Sequence, residues 1–303
     1  MKLGVAITWH AHPWEDLLAL VRRAEELGYA AAFVDGDISQ LDSKSGRDVL
    51  DGWTVTTALL AQTQRIQIGS IRLVHQWNAA RLAQAVATQE RIHPGRLRFV
   101  IGVGDRPHDE RFGFPKLSRG ERVQWLDETL TALSRLWRGE TVTLAGRWVQ
   151  LDAARVRPVP EAGIAIAVAA GGPRMLELVA AHADVWEVNL PPVASRVQAA
   201  AATLARACEA RQRDPAEIRR SLWIFTRLTT DRAAALREYR SRNPWFDALP
   251  DAEIAGALVA GEAPHCRLRL AELAEELALD LPVVDLSGLS AEPARSVLEA
   301  LAP

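Results

Sequence analysis

The sequence predicts an α/β fold, a (β/α)8 TIM barrel with insertion segments, and three observations lead to it. Residues 66–103 read as a β-branched strand, a helix with apolar residues at helical spacing, and a second apolar strand. That order forms a parallel βαβ unit. The same alternation continues along the chain, and 303 residues with 49% hydrophobic composition suffice for a barrel of eight strands.

The other strands and helices are predicted from apolar periodicity and from the glycines and prolines that bound them. Strands are expected at residues 3–8, 29–34, 66–73, 97–103, 164–169, 184–188, 218–226 and 282–286. Helices are expected at residues 14–27, 52–62, 78–93, 117–137, 173–182, 193–211 and 291–301. Eight strands that alternate with helices favour a closed barrel over an open doubly wound sheet.

Two segments depart from this alternation within a chain, residues 1–303, that we treat as one domain. Residues 139–153 alternate apolar and polar side chains around Ala145-Gly146, which predicts a β-hairpin outside the barrel. Residues 230–279 are interrupted by Pro244, Pro250 and Pro264. Because proline breaks helices, we expect two or three helices there, with a helical insertion at about 230–264.

The composition favours a cytoplasmic protein that acts on a small molecule. The net charge is −2, and no long basic block offers a surface for nucleic acid. Cys208 and Cys266 lie far apart, so they predict neither a disulfide framework nor a zinc site. No basic-then-apolar leader and no apolar run of membrane-spanning length is evident. We therefore expect a small-molecule substrate and neither nucleic acid nor membrane as a partner.

The residues that follow the strands are the candidate site, because parallel barrels bind ligands at the carboxyl ends of their strands. The segment Ala169-Ala170-Gly171-Gly172-Pro173-Arg174 follows the fifth predicted strand. Its glycines allow close backbone approach, its proline suits the first turn of a helix, and the free amides there favour an anion such as phosphate. A tight turn without a ligand is the alternative.

Acidic side chains follow two other predicted strands. Gly102, Gly104 and Asp105 end the fourth strand, where Asp105 could lie close to a bound ring or a substrate hydroxyl. A surface ion pair with Arg106 is the alternative for Asp105. Asp35 ends the second strand and could accept a proton or cap the next segment.

His10 and His12 follow the first strand, and Asp285 ends the eighth. Two imidazoles one residue apart on an extended backbone suit a metal-dependent hydrolase. The ends of the fifth and sixth strands, however, supply no further ligand to complete such a site. We therefore predict no metal, and our candidate catalytic residues are Asp105, His10 and Asp35.

Several segments, in the same order along the chain, resemble the bacterial luciferase-like superfamily. They are LGYAAAFVDGD, GRLRFVIGVGD, ERVQWLDETLTALSRLWRGETVTLAGRWVQL, IAIAVAAGGPRMLELVAAHADVWEVN and RDPAEIRRSLWIF, so that the resemblance covers nearly the whole chain. The GVGDRP segment is most similar to the branch that uses the deazaflavin coenzyme F420, such as methylenetetrahydromethanopterin reductase. The resemblance implies a barrel, usually homodimeric, that holds a flavin or deazaflavin at the carboxyl rim.

The resemblance also implies a non-proline cis peptide at the end of the third strand, pressed against the cofactor ring. It maps to the bond between Ile71 and Arg72, with Gly69 and Ser70 leading into it. Such a bond costs on the order of 3 kcal/mol and persists only where its surroundings enforce it. In that position a cationic Arg72 facing the ring would favour an anionic reduced cofactor.

Two further matches complete the implied cofactor site. Gly171, Gly172 and Pro173 match the segment that binds the cofactor phosphate, and Asp35 matches a position on the pyrimidine side of the ring. The candidate cofactor-binding residues are Asp35, Gly69, Ser70, Ile71, Arg72, Gly102, Gly104, Asp105, Ala170, Gly171, Gly172, Pro173 and Arg174.

The sequence departs from the superfamily's sugar-phosphate dehydrogenases at two places. Gly36 stands where they carry a histidine, and Arg106-Pro107-His108 stands where they carry a glutamate. A sugar-phosphate substrate is therefore not expected.

These observations predict an oxidoreductase that transfers a hydride between F420 and a small organic substrate. The nearest alternative is an FMN-dependent monooxygenase of the same superfamily, served by a separate cofactor reductase. A non-catalytic cofactor-binding member and a metal-dependent hydrolase are the further alternatives.

Overall fold

The apolar runs of the sequence form the strands and helices of a computed structural model that describes residues 1–7, 12–34, 50–104, 109–243 and 246–303. The strands are β1 (Gly4–Ala6), β2 (Ala31–Val34), β3 (Gln67–Leu73), β4 (Leu97–Gly102), β5 (Val142–Ala145), β6 (Gln150–Ala154), β7 (Ile166–Ala170), β8 (Val185–Val188), β9 (Arg219–Leu228), β10 (Val259–Gly261) and β11 (Leu281–Asp285). The helices are α1 (Trp14–Glu26), α2 (Gly52–Gln62), α3 (Ala79–Ile92), α4 (Arg119–Trp137), α5 (Pro173–His182), α6 (Ala194–Glu209), α7 (Arg232–Arg242), α8 (Asp251–Ala257), α9 (Ala263–Glu276) and α10 (Ala291–Ala300). In these ranges, no helix is long and apolar enough to cross a lipid bilayer.

Eight of the strands pair in parallel and close into a barrel, so the predicted fold is confirmed. Their order is β1-β2-β3-β4-β7-β8-β9-β11, and β11 returns to pair with β1. The pair between β8 and β9, in which Glu187 lies opposite Ser221, completes the ring. Because all eight strands are parallel, their carboxyl ends meet at one rim.

Alternation along each strand divides the apolar side chains between two cores. Outward-facing residues such as Ile68 and Trp186 pack against the surrounding helices. Inward-facing residues fill the lumen, where the rings of Phe33 and Trp223 lie 5.7 Å apart. Gly69 makes room for that layer, since a Cβ atom there would lie 2.8 Å from the Phe33 ring. Small and large side chains thus alternate to fill the narrow lumen.

The segment predicted as helical near residues 230–264 contains a strand that the sequence analysis missed. After α7 and α8, strand β10 pairs in parallel with β9, with Val259 opposite Thr226. Three residues are too few to display a strand period. The neighbouring Pro250 and Pro264 also made this stretch look like a break between helices.

A β-hairpin formed by the antiparallel strands β5 and β6 lies in the region where the sequence predicts one. Glu128 of α4 attaches it, because its carboxylate accepts hydrogen bonds from the backbone N–H groups of Arg147, Trp148 and Val149 at 3.2, 2.7 and 2.9 Å. Next to this contact, the indole rings of Trp125 and Trp148 stack 5.0 Å apart. The hairpin is therefore held against α4 by the Glu128 carboxylate and the aromatic pair, together with an ion pair between Glu121 of α4 and Arg147 at 2.7 Å.

Replacing this carboxylate should release the hairpin. Glu128→Ala would leave three backbone N–H groups without their acceptor, which we expect to lower the free energy of unfolding by about 1–3 kcal/mol. The near-ultraviolet circular dichroism of the stacked tryptophans should weaken in parallel. Glu177→Ala, at an exposed position of α5, is the matched control. An unchanged aromatic signal in Glu128→Ala would contradict this account of the hairpin.

Candidate cofactor site at the carboxyl rim

The predicted site residues fall into three groups in the structure. The first, His10, Asp35 and Asp105, lies outside the described residues. The second comprises the positions at the ends of β3 and β4, and the third is the turn from β7 into α5. The structure thus describes eleven of the thirteen candidate cofactor-binding residues, which lie in or directly after β3, β4 and β7.

The turn between β7 and α5 begins a helix whose N-terminus no side chain caps. Gly172 is the N-cap residue of α5, with φ of −98°. Pro173 occupies the first turn, as predicted. Gly171 lies so close to the next strand end that a Cβ atom would be 2.5 Å from the carbonyl oxygen of Asn189. The backbone here therefore requires glycine at position 171, whereas a Cβ atom at position 172 would make only an ordinary contact.

Ala170 fixes this turn to the barrel. Its carbonyl oxygen accepts hydrogen bonds from the Trp186 indole N–H and from the backbone N–H of Asn189, both at 2.9 Å. Its side chain belongs to the core between strands and helices. These contacts of Ala170 hold the following residues, Gly171 and Gly172, in place at the end of β7.

A cavity of about 430 Å³ opens in front of the α5 N-terminus. Its lining residues come from the first turns of α4 and α5, and they are Arg119, Gly120, Val123, Gly172, Pro173, Arg174 and Met175. A Cβ atom on Gly172 would lie 3.6 Å from Nη2 of Arg119, and one on Gly120 would lie 3.5 Å from Nη1 of Arg174. Two guanidinium groups and a helix N-terminus therefore converge on one open space, an arrangement that suits an anion.

Arg119 is a residue of this site that the sequence analysis did not single out. It follows Ser118, which forms a capping box with Glu121 at the start of α4. That box marks the helix start in the sequence, but the approach of α4 to α5 is a tertiary contact. The capping signal could have placed Arg119 at the rim, though not beside Gly172.

The peptide bond between Ile71 and Arg72 is trans, so the expected cis bond at that position is wrong. Among the residues that the structure describes, the one cis peptide precedes Pro158. Strand β3 runs regularly through both residues and pairs them with Val100 and Ile101 of β4. An uninterrupted ladder leaves no bulge at this bond.

Arg72 does not face the barrel mouth, so the expected contact of its charge with a ring there is also wrong. Because side chains alternate, Ile71 points into the lumen and Arg72 points out toward α2. There its guanidinium contacts Ser70 Oγ and donates to Thr56 Oγ1 at 3.3 Å, and it lies 4.9 Å from the Trp53 ring. Burial lowers the pKa of Arg72 to about 9, against the opposing effect of Asp51.

The predicted glycines of β3 and β4 have different surroundings. Gly69 is covered by Phe33, as described above. Gly102 faces Ile71 inside the barrel, where a Cβ atom would lie 3.1 Å from Cδ1 of that residue. Gly104, with φ of +64°, lies against the His75 ring. Of the predicted residues of β3 and β4, Ile71 and Gly102 therefore contact each other inside the lumen.

Glu187 is a buried acid in the lumen that the sequence analysis missed. It extends inward from β8, and its Oε1 accepts a hydrogen bond from Ser221 Oγ at 3.2 Å. Burial raises the pKa of Glu187 to about 7, although the charge of Arg98 and the Ser221 hydrogen bond oppose that rise. Its position within a hydrophobic run, Val-Trp-Glu-Val, is the sequence signal that could have found it.

Two other places could be considered as sites, a second cavity and the predicted Asp285. A cavity of about 300 Å³ lies beside the tryptophan stack, between residues 75–79, α4 and the hairpin. Asp285 Oδ1 accepts hydrogen bonds from the backbone and hydroxyl of Ser287, so that it serves a turn. Across the described ranges, no three His, Cys, Asp or Glu side chains are grouped as metal ligands.

The Glu187 carboxyl should make stability depend on pH. In the unfolded chain this carboxyl has a pKa of 4.5 and loses its proton above that pH, whereas the folded protein keeps the proton up to about pH 7. The free energy of unfolding therefore falls as the pH rises from about 4.5 to 7. Glu187→Gln should remove this loss, which is at most about 3 kcal/mol. Urea unfolding of both proteins at pH 5 and pH 8 measures it. Equal pH dependence in the two proteins would contradict a protonated Glu187.

Known proteins resemble this chain in sequence and in fold. The F420-dependent glucose-6-phosphate dehydrogenase of Rhodococcus hoagii (strain 103S) is 31% identical over 180 residues, which are 57% of this chain and 52% of that enzyme. The chain thus spans about half the length of the curated relatives of this kind that it matches.

Solved structures share the fold over the whole chain. An F420-dependent secondary alcohol dehydrogenase, in complex with an F420-acetone adduct, superposes with a TM-score of 0.84 at 18% identity and covers 100% of this chain and 99% of its own. The EDTA monooxygenase EmoA of Chelativorans sp. BNC1 superposes with a TM-score of 0.81 at 13% identity, over 100% and 92% of the two chains. At these identities the likeness establishes the barrel alone.

The family model described as luciferase-like monooxygenase matches residues 1–281, which is most of the chain. That match includes the β7–α5 turn and every barrel strand up to the start of β11. The protein therefore belongs to the luciferase-like family.

Proposed function

We propose that the protein is an oxidoreductase that transfers a hydride between coenzyme F420 and a small organic substrate. The observation that carries the proposal is the 31% identity with a dehydrogenase named as F420-dependent. A second named relative, the F420-dependent hydroxymycolic acid dehydrogenase of Mycobacterium tuberculosis, is 23% identical over 77% of this chain. The names of both relatives give F420 as the cofactor, but they give different substrates.

The residues at the rim fit an anionic, flat cofactor. The uncapped amides of α5 and the guanidinium groups of Arg119 and Arg174 offer donors to a phosphate. The inward-facing Ile71, which packs over Gly102, supplies an apolar surface in the lumen. When bound, F420 supplies the carbon that accepts or donates the hydride, and the protein supplies position and exclusion of water.

The acid and base of the reaction are assigned to residues at the ends of β1, β2 and β4. We propose Asp105, His10 and Asp35, which the sequence places after those strands. A carboxylate or an imidazole there could take the substrate hydroxyl proton as the hydride leaves the adjacent carbon. The substrate is proposed to be a small alcohol or carbonyl compound rather than a sugar phosphate, because Gly36 and Arg106 replace the histidine and glutamate of the sugar-phosphate enzymes.

The alternative is an FMN-dependent monooxygenase supplied by a separate reductase. The description of the matching family and the fold of EmoA favour it. The anion cavity would accept the phosphate of either cofactor, so the cofactor preference decides between the two functions.

Assembly and location follow the same resemblance. We propose a homodimer in the cytoplasm, and sedimentation velocity at micromolar concentration tests the assembly. A monomer under those conditions would overturn that part of the proposal.

A carboxylate at position 172 should block the cofactor site without harming the fold. A Cβ atom at position 172 would make only an ordinary contact, 3.6 Å from Arg119 Nη2, and Asp or Asn at an N-cap is at least as favourable as Gly. Titration with oxidised F420, followed by quenching of its fluorescence, should show binding to the wild type. We expect Gly172→Asp to weaken that binding by tenfold or more, because the added charge repels the phosphate, on the scale of about 1.4 kcal/mol per tenfold.

Gly172→Asn is the matched control, since it has the same shape and no charge. It should retain more binding than Gly172→Asp, and both variants should melt at or above the temperature of the wild type. Equal binding by all three proteins would remove the α5 N-terminus from the cofactor site. Preference of the wild type for FMN over F420 would favour the monooxygenase instead.

A further inference from the structure

We propose that the cavity of about 300 Å³ beside the tryptophan stack is a binding site for a small, neutral aromatic ligand that carries a carbonyl oxygen. This cavity shares no lining residue with the anion cavity between α4 and α5. The inference therefore does not depend on which cofactor the rim binds.

The cavity lies where three parts of the fold meet. Residues 75–79, which follow β3, form one wall, Trp125 of α4 forms the second, and residues 148–151 of the hairpin form the third. Ala79 and Val149 also belong to a small buried core between α4 and the hairpin, against which Leu151 packs. The cavity thus adjoins an apolar core and has a wall that lies outside the barrel.

Three indole rings line the cavity, and each is held by a second aromatic or cationic group. The rings of Trp125 and Trp148 are parallel at 5.0 Å, and the Arg147 guanidinium lies 4.7 Å from the centre of the Trp148 ring. On the opposite wall, the Trp77 ring makes an edge contact with Trp53 at 5.8 Å. Because aromatic rings favour stacked or edge-on contacts with one another, these walls favour a flat ring as the ligand.

Asp, Glu, Lys and Arg are absent from the lining of this cavity, as far as the structure describes it. A ligand with a full charge would lose water on entering and would find no opposite charge there. The anion cavity, by contrast, is lined by Arg119 and Arg174. The second cavity therefore favours a neutral ligand.

Two buried N–H donors belong to residues that line the cavity. They are Trp148 Nε1 and Gln76 Nε2, and within the described ranges neither has a hydrogen-bond partner. The indole nitrogen can only donate, so an acceptor is what it lacks. A buried donor without an acceptor lowers stability, and a ligand oxygen could remove that loss. A carbonyl oxygen suits this role, because it can accept two hydrogen bonds.

The volume limits the size of the ligand. At about 30 Å³ for a water-sized group, the cavity holds roughly ten non-hydrogen atoms. That is one aromatic ring with a short polar substituent, and it is too little for a flavin or deazaflavin. Benzamide, which has one ring, one carbonyl group and no charge, is the matching probe.

The test is a titration with benzamide, without F420 or FMN, of protein that carries ¹⁵N-labelled tryptophan. Nuclear magnetic resonance follows the indole N–H groups of the ten tryptophans, and Trp148→Phe and Trp77→Phe assign the two signals needed. Benzamide should shift the Trp148 signal with a Kd on the order of 1 mM, which is ordinary for a ligand of this size. Cyclohexanecarboxamide lacks the aromatic ring and benzoate is charged, so each should bind at least about fivefold more weakly.

Two variants test the donors. Trp148→Phe keeps an aromatic ring beside Trp125 but removes the N–H group, and Gln76→Leu removes the amide. Each should weaken benzamide binding about fivefold, measured on the Trp77 signal. Trp14→Phe, the same kind of change in α1 and outside the cavity lining, should leave the affinity unchanged. Melting temperatures verify that each variant is folded.

Several results would overturn the inference, and none of them bears on the proposed function. A Trp148 signal that does not move at 10 mM benzamide, about ten times the expected Kd, would exclude the site. Equal affinity for cyclohexanecarboxamide or for benzoate would contradict an aromatic or a neutral ligand, respectively. Unchanged affinity in both donor variants would contradict recognition of the carbonyl oxygen.

Discussion

Closure of the parallel barrel is the constraint on which the rest of the structure depends. Once β8 pairs with β9, each of the eight barrel strands is paired on both sides, and its side chains must point either into the lumen or toward the helices. That choice places Glu187 and Ile71 inside and Arg72 outside. It also brings the N-termini of α4 and α5 to the same rim, because each of these helices follows a strand whose carboxyl end lies there. The anion cavity is a consequence of that geometry.

Much of the fold was accessible from the sequence, because buried parallel strands and amphipathic helices have distinct periods. Helices α2 and α5 have the predicted bounds. The orientation of Arg72 was not accessible in the same way, because β3 is buried on both faces and its apolar pattern does not fix which face is inward. The cis bond was expected from the family resemblance alone. Whether one peptide bond is cis or trans depends on its local surroundings. Strand β10 was too short to be detected.

The candidate site divides along the same line. The turn Gly171-Gly172-Pro173 was predictable because glycine and proline act locally, on the backbone that carries them. Arg119 belongs to the same cavity but comes from another helix, and no local signal joins positions more than fifty residues apart. Glu187 was visible only as a charge within an apolar strand. The structure adds the reason for its elevated pKa, which is burial in the lumen, against the opposing effects of the Arg98 charge and the Ser221 hydrogen bond.

In the part of the chain that the structure describes, a helix N-terminus without a side-chain cap lies beside two arginines that form no ion pair, a feature that stability alone does not explain. Serine or aspartate at position 172 would cap α5 at least as well as glycine, and an acidic neighbour would neutralise the arginines. Because the cap and the acidic neighbour are both missing, the site can bind an anionic group of a ligand. The N-terminus of α5 is thus less stable than it could be, and binding of an anion can offset that loss of stability. Functional sites often depart from optimal packing in this way.

Hydride transfer to F420 can be followed with an isotope. The protein is incubated without oxygen with oxidised F420 and a panel of small alcohols that carry deuterium on the reacting carbon. We expect loss of the visible absorbance of F420 with at least one alcohol, and deuterium in the reduced cofactor by mass spectrometry. A product hydroxylated by reduced FMN and oxygen, with no deuterium transfer to F420 from any alcohol, would contradict it.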